Sequence, residues 1–505
     1  MSVAMRSQVI AVCNWLGRYR VPVGASPKTQ VKGFLQAFYH CCEGGSLDAA
    51  QMVLSVCVDE KNSTTFVEQL GKWGLYAEQI EAYRRILTLL VDDKGSYLSL
   101  LGRAYYAISD YSAAQACYER SLALAQAAGD RIQQMVAVNG LGLLQGVSGN
   151  FERAILHHQQ QLEIAQALSD EKAVGAAWGD LGRCYQFKGE YERAIACHER
   201  YLSSCLAQDD IRGQAIALDN LGLAHRALGH WEAATRYHRK GLAMAQTRYD
   251  EAGSWGNLGL VELGQGRFTE AINCFEQYRE ISKEIGNRQG EAKALGNAGI
   301  AHYYLQQYEL AASALQRQLS IAKEIGDRQG EGAALGNLGL VYEALGKLSE
   351  AILAYREQLG MMEIMGYRQG IKNALGNLGN VFYRQGDLEQ AAIYHQRCLK
   401  LSQELKDAQG VANCLGNLGH VWFSQLAYEA ALSCYEESLV GFQQVGDRFG
   451  EGRALSHIGE VLARLGQMDE ARVHLQKSLE IAQSLTDALT VKTVLFWLSE
   501  LDKEE

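Results

Sequence analysis

The chain has 505 residues, of which 48% are hydrophobic and 21% charged, and its formal net charge is -10. This acidic balance argues against nucleic acid as the main partner, because such partners need clustered lysine and arginine. No apolar run approaches the roughly 20 residues that span a bilayer, and no signal-peptide pattern opens the chain. The twelve cysteines show no paired spacing, so we expect a reducing, cytoplasmic setting.

Residues 1–91 are expected to form an N-terminal helical capping region. Their apolar pattern is helical but does not follow the register of the rest of the chain, and residues 66–90 are typical of a degenerate helical hairpin. Atypical end segments of this kind are expected in repeat proteins, because each end of the array faces water.

Residues 92–486 contain ten copies of one pattern, a glycine followed twelve residues later by an alanine. Successive glycines are 40 residues apart, except for one step of 37 residues from Gly222 to Gly259. A fixed period of this length indicates stacked supersecondary units. Residues 487–505 are predicted to form a C-terminal capping helix. We call the ten glycines the packing glycines: Gly102, Gly142, Gly182, Gly222, Gly259, Gly299, Gly339, Gly379, Gly419 and Gly459.

One repeat, read in detail, predicts two helices. Apolar residues recur at three- and four-residue steps from Ala334 to Gly346, which is typical of an amphipathic helix. Ser349 is predicted to cap a second helix, which runs to about Met365 and ends at Gly366. Each repeat is therefore a helical hairpin, and its glycine and alanine are expected where helix backbones approach closely.

These residues resemble a known repeat family. Trp178, Leu181, Gly182, Tyr185 and Ala194 stand in the order of the tetratricopeptide repeat pattern. The match covers about residues 92–486, but the period is 40 residues instead of about 34, and the closing proline of that family is missing. This longer type resembles the Pins/LGN scaffold class and bacterial repeat modules attached to signalling ATPases. The resemblance implies an all-α, right-handed superhelical solenoid whose first helices line a groove.

The leading functional hypothesis is a non-enzymatic protein–protein interaction scaffold that binds a peptide or helix of a partner protein in this groove. The alternative is a ligand-responsive regulatory sensor that acts on a separate signalling effector. No nucleophile elbow, phosphate loop or metal-ligand cluster interrupts the repeat pattern, so no catalytic residue, metal site or cofactor is predicted. Self-association through the ends of the array stays open.

Four histidines that share one position of the repeat are expected to pack between helices, since other repeats place aromatic residues at that position. These are His158, His198, His238 and His395. Arginines recur eleven residues before packing glycines, among them Arg131, Arg288, Arg328, Arg368 and Arg448. They either orient an acidic peptide or make structural ion pairs, and the second interpretation is favoured because such surface pairs are common.

An asparagine column carries the site prediction. Asparagine stands two residues before the packing glycine in six consecutive repeats, from Asn220 to Asn417. Positions six before, three before, one after and four after the glycine should share that helix face. Either these amides grip a peptide backbone, or they form a ladder by bonding to the backbone of the neighbouring repeat. The candidate peptide-binding residues are Asn297, Tyr303, Asn337, Glu343, Asn373, Asn377, Asn380, Tyr383, Asn413, Asn417, His420, Phe423, Arg183 and Arg226.

Overall fold

The computed structural model describes residues 27–59, 64–72, 74–90 and 94–502. The chain divides into two compact units, Met1–Gln246 and Thr247–Glu505, which we call the N-terminal and C-terminal units. The division falls within the single 37-residue step of the repeat pattern. Residues 1–26 of the predicted capping region, and the last three residues of the predicted capping helix, lie outside the described residues.

In the described part of the segment before the repeats there are four helices and one short antiparallel ladder. The predicted degenerate hairpin corresponds to its third and fourth helices, whereas no strand was predicted. Strands of two and three residues are too short to show an alternating pattern. The elements are α1 (Pro27–Glu43), α2 (Leu47–Leu54), β1 (Cys57–Asp59), β2 (Thr64–Thr65), α3 (Phe66–Lys72) and α4 (Tyr76–Leu89), with Cys57 of β1 opposite Thr65 of β2.

Four helical hairpins complete the N-terminal unit. Within each, the first helix carries the packing glycine and the second carries the alanine twelve residues later. These repeats 1 to 4 are α5 (Lys94–Ala107) with α6 (Tyr111–Ala128), α7 (Arg131–Val147) with α8 (Phe151–Ala167), α9 (Glu171–Lys188) with α10 (Tyr191–Ala207), and α11 (Ile211–Ala227) with α12 (Trp231–Ala243).

Six hairpins and a final helix form the C-terminal unit. Repeats 5 to 7 are α13 (Arg248–Gly264) with α14 (Phe268–Glu284), α15 (Arg288–Tyr304) with α16 (Tyr308–Ile325), and α17 (Arg328–Ala344) with α18 (Leu348–Met365). Repeats 8 to 10 are α19 (Arg368–Gln385) with α20 (Leu388–Glu404), α21 (Ala408–Ser424) with α22 (Tyr428–Val445), and α23 (Arg448–Arg464) with α24 (Met468–Ser484). The last helix is α25 (Ala488–Leu501). The all-α fold class of stacked helical hairpins is confirmed in each unit.

The packing glycines explain how each hairpin closes. A methyl group added to Gly142 would lie 2.6 Å from Cε1 of His158, and one added to Gly419 would lie 2.5 Å from Cε1 of Tyr435. His158, His198, His238 and His395 are at most 1% exposed, so these histidines pack between helices as expected. All ten paired alanines, from Ala114 to Ala471, are fully buried. The glycine and alanine columns are therefore constraints of packing.

Helix ends follow simple local chemistry, with one prediction corrected. Asp327 caps α17, since its Oδ1 accepts a hydrogen bond from the Gly330 N–H at 2.9 Å. Gly366 ends α18 in the left-handed conformation, as expected. The prediction that Ser349 caps α18 is wrong. The helix begins at Leu348, two residues earlier than this cap implies, and its N-cap Lys347 makes no side-chain cap.

Two residues of the arginine column, Arg288 and Arg368, form ion pairs within hairpins. Arg288, at the start of α15, pairs with Glu291 at 2.5 Å and with Glu324 near the end of α16. Two repeats later, Arg368 at the start of α19 pairs in the same way with Glu404 at the end of α20. Both guanidinium groups therefore tie the first turn of one helix to the last turn of its partner.

Candidate functional site

The first helices of repeats 5 to 7 line one open depression of about 440 Å³. Its floor is built from the predicted columns: residues six, three and two before each packing glycine, and one after it. They meet because side chains three and four residues apart share a helix face. The residues that define this surface, which we call the asparagine groove, are Gly253, Gly256, Asn257, Leu260, Tyr278, Lys293, Gly296, Asn297, Ile300, Gln318, Ala333 and Asn337.

The asparagine side chains of this groove have no hydrogen-bond partner among the described residues. Asn257, Asn297 and Asn337 are half-buried, and none of them makes a side-chain hydrogen bond to any described residue. Each amide offers two N–H donors and one carbonyl acceptor. The groove therefore presents one free amide per repeat, and the ladder of bonds to neighbouring backbone is not formed here.

Two further polar groups belong to the groove. Gln318 is 7% exposed, and its Oε1 atom is buried without a hydrogen-bond partner among the described residues. Lys293 is exposed and forms no ion pair within the described part of the chain. A buried carbonyl left without a partner costs free energy, so a ligand that donates a hydrogen bond to Gln318 would recover it.

Apolar side chains run beside the amides. Leu260 and Ile300 stand one residue after their packing glycines and line the groove, and Leu340, at the same position of repeat 7, is 41% exposed. The groove thus combines a polar row, which can pair with peptide groups, with an apolar row, which can bury side chains.

In repeats 8 and 9 the predicted residues contact one another. The Asn417 amide donates a hydrogen bond to Oδ1 of Asn380 at 3.3 Å, and the hydroxyl group of Tyr383 lies 2.9 Å from Oγ of Ser424. Asn377 is half-buried, and Asn373 and Asn413 are exposed. The amides of this region are therefore partly paired with each other, unlike those of repeats 5 to 7.

His420 belongs to a ring cluster in repeats 9 and 10. Its Nδ1 lies 2.8 Å from the Tyr435 hydroxyl, and its ring centroid is 4.5 Å from that of His457. Burial, reinforced by the nearby His457 and Arg453, lowers the pKa of His420 to about 3. This imidazole is neutral at physiological pH, so it can exchange hydrogen bonds but carries no charge.

Three other candidates in the C-terminal unit are engaged inside the protein. Glu343 is 9% exposed and its carboxylate accepts hydrogen bonds from the Tyr355 hydroxyl at 2.7 Å and from Arg384 at 3.1 Å. Tyr303 packs against two tyrosine rings, Tyr304 and Tyr308, at 5.7 Å. The ring of Phe423 lies 5.5 Å from that of Tyr428. These side chains stabilise the hairpins that carry the asparagines.

The two candidate arginines lie in the N-terminal unit. Arg183 is half-exposed, pairs with Asp180 and lines a pocket of about 380 Å³ formed by repeats 1 to 3. Arg226 is half-buried, and its Nε has no hydrogen-bond partner among the described residues. The structure thus separates the arginine candidates from the asparagine groove.

Sequence reasoning missed Lys293 and Gln318. Lys293 stands six residues before its packing glycine, within a column that the pattern assigned to the groove, so a complete reading of the columns finds it. Gln318 comes from a second helix, nineteen residues after the packing glycine, where Gln161 and Gln358 also stand. That recurrence is a signal, but only the packing shows that the side chain reaches the groove.

The described residues contain neither a metal-binding cluster nor a membrane-spanning helix. No group of three or more histidine, cysteine, aspartate or glutamate side chains there is arranged to hold a metal ion. None of the described helices is long and apolar enough to cross a membrane.

Comparisons with known proteins agree with the geometry. Family models of the tetratricopeptide repeat match most of the chain, at residues 98–132, 133–207, 174–247, 213–283, 250–324, 294–363, 371–444 and 452–486. A sequence search of curated proteins gave no match.

Two solved structures resemble the chain in fold. The apo form of the quorum sensor NprR from B. thuringiensis has a TM-score of 0.51 and 14% identity, covering 74% of this chain and 99% of its own. A Signal Transduction ATPase with Numerous Domains protein with a tetratricopeptide repeat sensor, from Pyrococcus horikoshii, has a TM-score of 0.53 and 12% identity, covering 89% of this chain and 74% of its own. Identities this low show a shared fold alone.

Proposed function

This chain belongs to the tetratricopeptide repeat family, and from that premise we propose that it is a non-enzymatic scaffold that holds an extended segment of a partner protein in the asparagine groove. The observation that carries the proposal is the row of free amides on Asn257, Asn297 and Asn337. Repeat proteins characteristically bind partners on extended surfaces of this kind.

The free amides favour an extended segment over a helix. A helix satisfies its own backbone N–H and C=O groups internally, so it gains little from amides that offer both donors and acceptors. An extended segment has unsatisfied backbone groups along its length, and each asparagine can pair with one of them without reading its side chain. Affinity from the amide row would therefore be largely independent of sequence.

Selectivity would come from the neighbouring side chains. Leu260 and Ile300 can cover aliphatic side chains of the bound segment, and Gln318 can accept a backbone N–H. Lys293, with no ion pair of its own among the described residues, favours a segment that carries a carboxylate nearby. We therefore expect the partner segment to combine aliphatic and acidic residues.

The test is a display screen of host-proteome peptides, followed by calorimetric titration of a selected peptide. Replacing Asn257, Asn297 and Asn337 together by alanine should weaken binding about tenfold or more, since each lost hydrogen bond contributes about 0.5–1.5 kcal/mol. The melting temperature should be unchanged or higher, because alanine is the better helix former. A single Asn273→Ala variant, at an exposed position of α14 outside the groove, is the control.

Two results would contradict this proposal. A triple variant that loses stability would show that these amides hold the repeats together. Unchanged affinity in a variant that folds normally would remove the asparagine groove from the function. The second triple, Asn337, Asn377 and Asn417 to alanine, asks whether the binding surface continues into repeats 8 and 9.

A second candidate is a regulatory sensor acting on a separate effector. The division of the chain into two compact units supports it, because an array made of two bodies can change its compactness when a ligand binds. Small-angle scattering with and without the selected peptide separates the two candidates. A change in the radius of gyration favours the sensor, and an unchanged radius favours the passive scaffold.

A further inference from the structure

The N-terminal unit has a pocket that the peptide proposal does not use. It measures about 380 Å³ and is formed by the first helices of repeats 1 to 3 together with α8. Small-molecule sites are typically concave, mostly apolar, about 300–1,000 Å³ in volume and supplied with a few fixed polar groups. Both the size and the composition of this pocket fall in that range.

A single glycine opens the pocket. Four residues after the packing glycine, repeats 1 and 3 carry Tyr106 and Gln186, but repeat 2 carries Gly146. A methyl group added to Gly146 would meet no atom within 4 Å. The space that a side chain fills in the neighbouring repeats is therefore empty in repeat 2, and Tyr106 forms one wall of it.

A second part of the pocket lining is an aromatic pair, one ring of which is largely exposed. Phe151 and Phe187 stack with their centroids 5.8 Å apart and their planes within 10° of parallel. Phe187 is 73% exposed, which is unfavourable for a large apolar ring unless something covers it. A flat aromatic ring that enters the space above Gly146 would bury part of this surface and stack on it.

The ion pair of Asp180 and Arg183 lines the pocket, and the guanidinium group has N–H donors that this pair does not use. The Asp180 carboxylate is satisfied on both oxygens: Oδ1 accepts from Arg183, and Oδ2 accepts from the Asn139 amide at 3.0 Å. Arg183 uses only its Nη2 group in this pair, so its other guanidinium N–H groups have no partner among the described residues. A guanidinium with free donors is suited to a carboxylate.

Two other side chains that line the pocket, Cys184 and Tyr106, have raised pKa values. Burial raises the pKa of the Cys184 thiol to about 11 and also raises the pKa of the Tyr106 phenol. Both side chains are therefore neutral near pH 7, and Arg183 is the charged group of the pocket that has N–H groups without a partner among the described residues.

We propose that this pocket binds a small aromatic carboxylate, with its ring above Gly146 against the Phe151–Phe187 pair and its carboxylate on Arg183. The site lies wholly within the N-terminal unit and is independent of the asparagine groove. Loss of one binding activity therefore leaves the other to be measured.

The experiment is a calorimetric titration of the full-length chain with phenylacetate, and with cyclohexylacetate as the non-aromatic probe. We expect saturable one-to-one binding of phenylacetate and weaker binding of cyclohexylacetate. The Gly146→Leu variant should fill the space and abolish binding, whereas its melting temperature should hold or rise, because leucine is a better helix former than glycine. The matched control is Gly360→Leu, a helical glycine of α18 whose added methyl group also meets no atom within 4 Å.

Two further variants address the polar and aromatic contacts. Arg183→Gln should weaken phenylacetate binding about tenfold, as expected for a lost charge-assisted hydrogen bond. Phe187→Ala removes an exposed ring and tests the contact with the Phe151–Phe187 pair. This variant decides the question if Gly146→Leu does not fold. Absence of saturable phenylacetate binding, or binding that persists in a folded Gly146→Leu or Phe187→Ala variant, would overturn the proposal.

Discussion

The two units share one packing scheme but present different surfaces. In repeat 2 the packing glycine closes on His158, and in repeat 9 it closes on Tyr435, with nearly the same spacing. Two residues earlier, repeats 1 to 3 carry Leu100, Gly140 and Asp180, whereas asparagine begins with Asn220 in repeat 4 and continues through repeat 9. The residues that hold the helices together are thus separate from those that face outward, so the outward surface can vary without disturbing the fold.

The largest expected effect tests the shared packing. Gly142→Ala and Gly419→Ala each force a methyl group against a buried ring, so each should lower the free energy of unfolding by about 1–3 kcal/mol. Gly360→Ala should instead raise it by about 0.5–1 kcal/mol, because its methyl group has room. Urea titrations of the three variants measure these changes.

A loss of stability confined to one of the two packing-glycine variants would break the comparison. It would mean that the two units close their hairpins differently despite the common pattern. Equal losses in both variants would extend the same packing constraint from His158 to Tyr435.

The pH dependence of stability can be compared between the two units, because both contain buried histidines. Burial lowers the pKa of His198 and of His395 to about 4. The unfolded chain therefore binds more protons than the folded chain between pH 6.5 and 4, and stability falls as the pH falls through this range. Each histidine contributes at most about 3 kcal/mol to that loss.

Two other repeats carry leucine at the position of these histidines, so leucine is the natural replacement to test. His198→Leu and His395→Leu place at these positions the residue that repeats 6 and 10 already carry, as Leu315 and Leu475. Each variant should flatten the pH dependence of the urea midpoint below pH 6.5. An unaltered pH profile in both leucine variants would contradict the assignment to these histidines.

The smallest expected effect concerns helix caps. Asp170 caps α9 in the N-terminal unit and Asp327 caps α17 in the C-terminal unit, so replacing either by alanine should cost about 1 kcal/mol. Tyr367, the equivalent residue of repeat 8, makes no side-chain cap. Tyr367→Asp should therefore stabilise the chain by about 0.5–1 kcal/mol in thermal unfolding. A destabilised Tyr367→Asp variant would show that the tyrosine ring contributes more than a cap would.

Much of the fold could be predicted because it depends on neighbours in sequence. Gly366 ends α18 as expected, and the four histidines pack where their column indicated. Ser349 misled because a serine one residue inside a helix cannot be told from a cap by composition.

The candidate site was predictable only in part. Helical periodicity assigned columns to one face, and three asparagines of that face do line a groove. Periodicity could not tell that Glu343 is held by Tyr355 and Arg384, because those partners come from another helix and another repeat. Nor could it tell that the asparagines of repeats 5 to 7 are free while Asn417 is paired.

The sequence by itself determined the hairpin, its period, its packing columns and its helix ends, because each of these depends on residues within one repeat. Tertiary structure alone decided which side chains are free to bind. Gly146 looks in sequence like a weak helix residue, and only the packing shows that it lines a pocket together with Tyr106 and Phe187. Whether a polar group is satisfied or exposed depends on neighbours that stacking brings together across about 40 residues of chain.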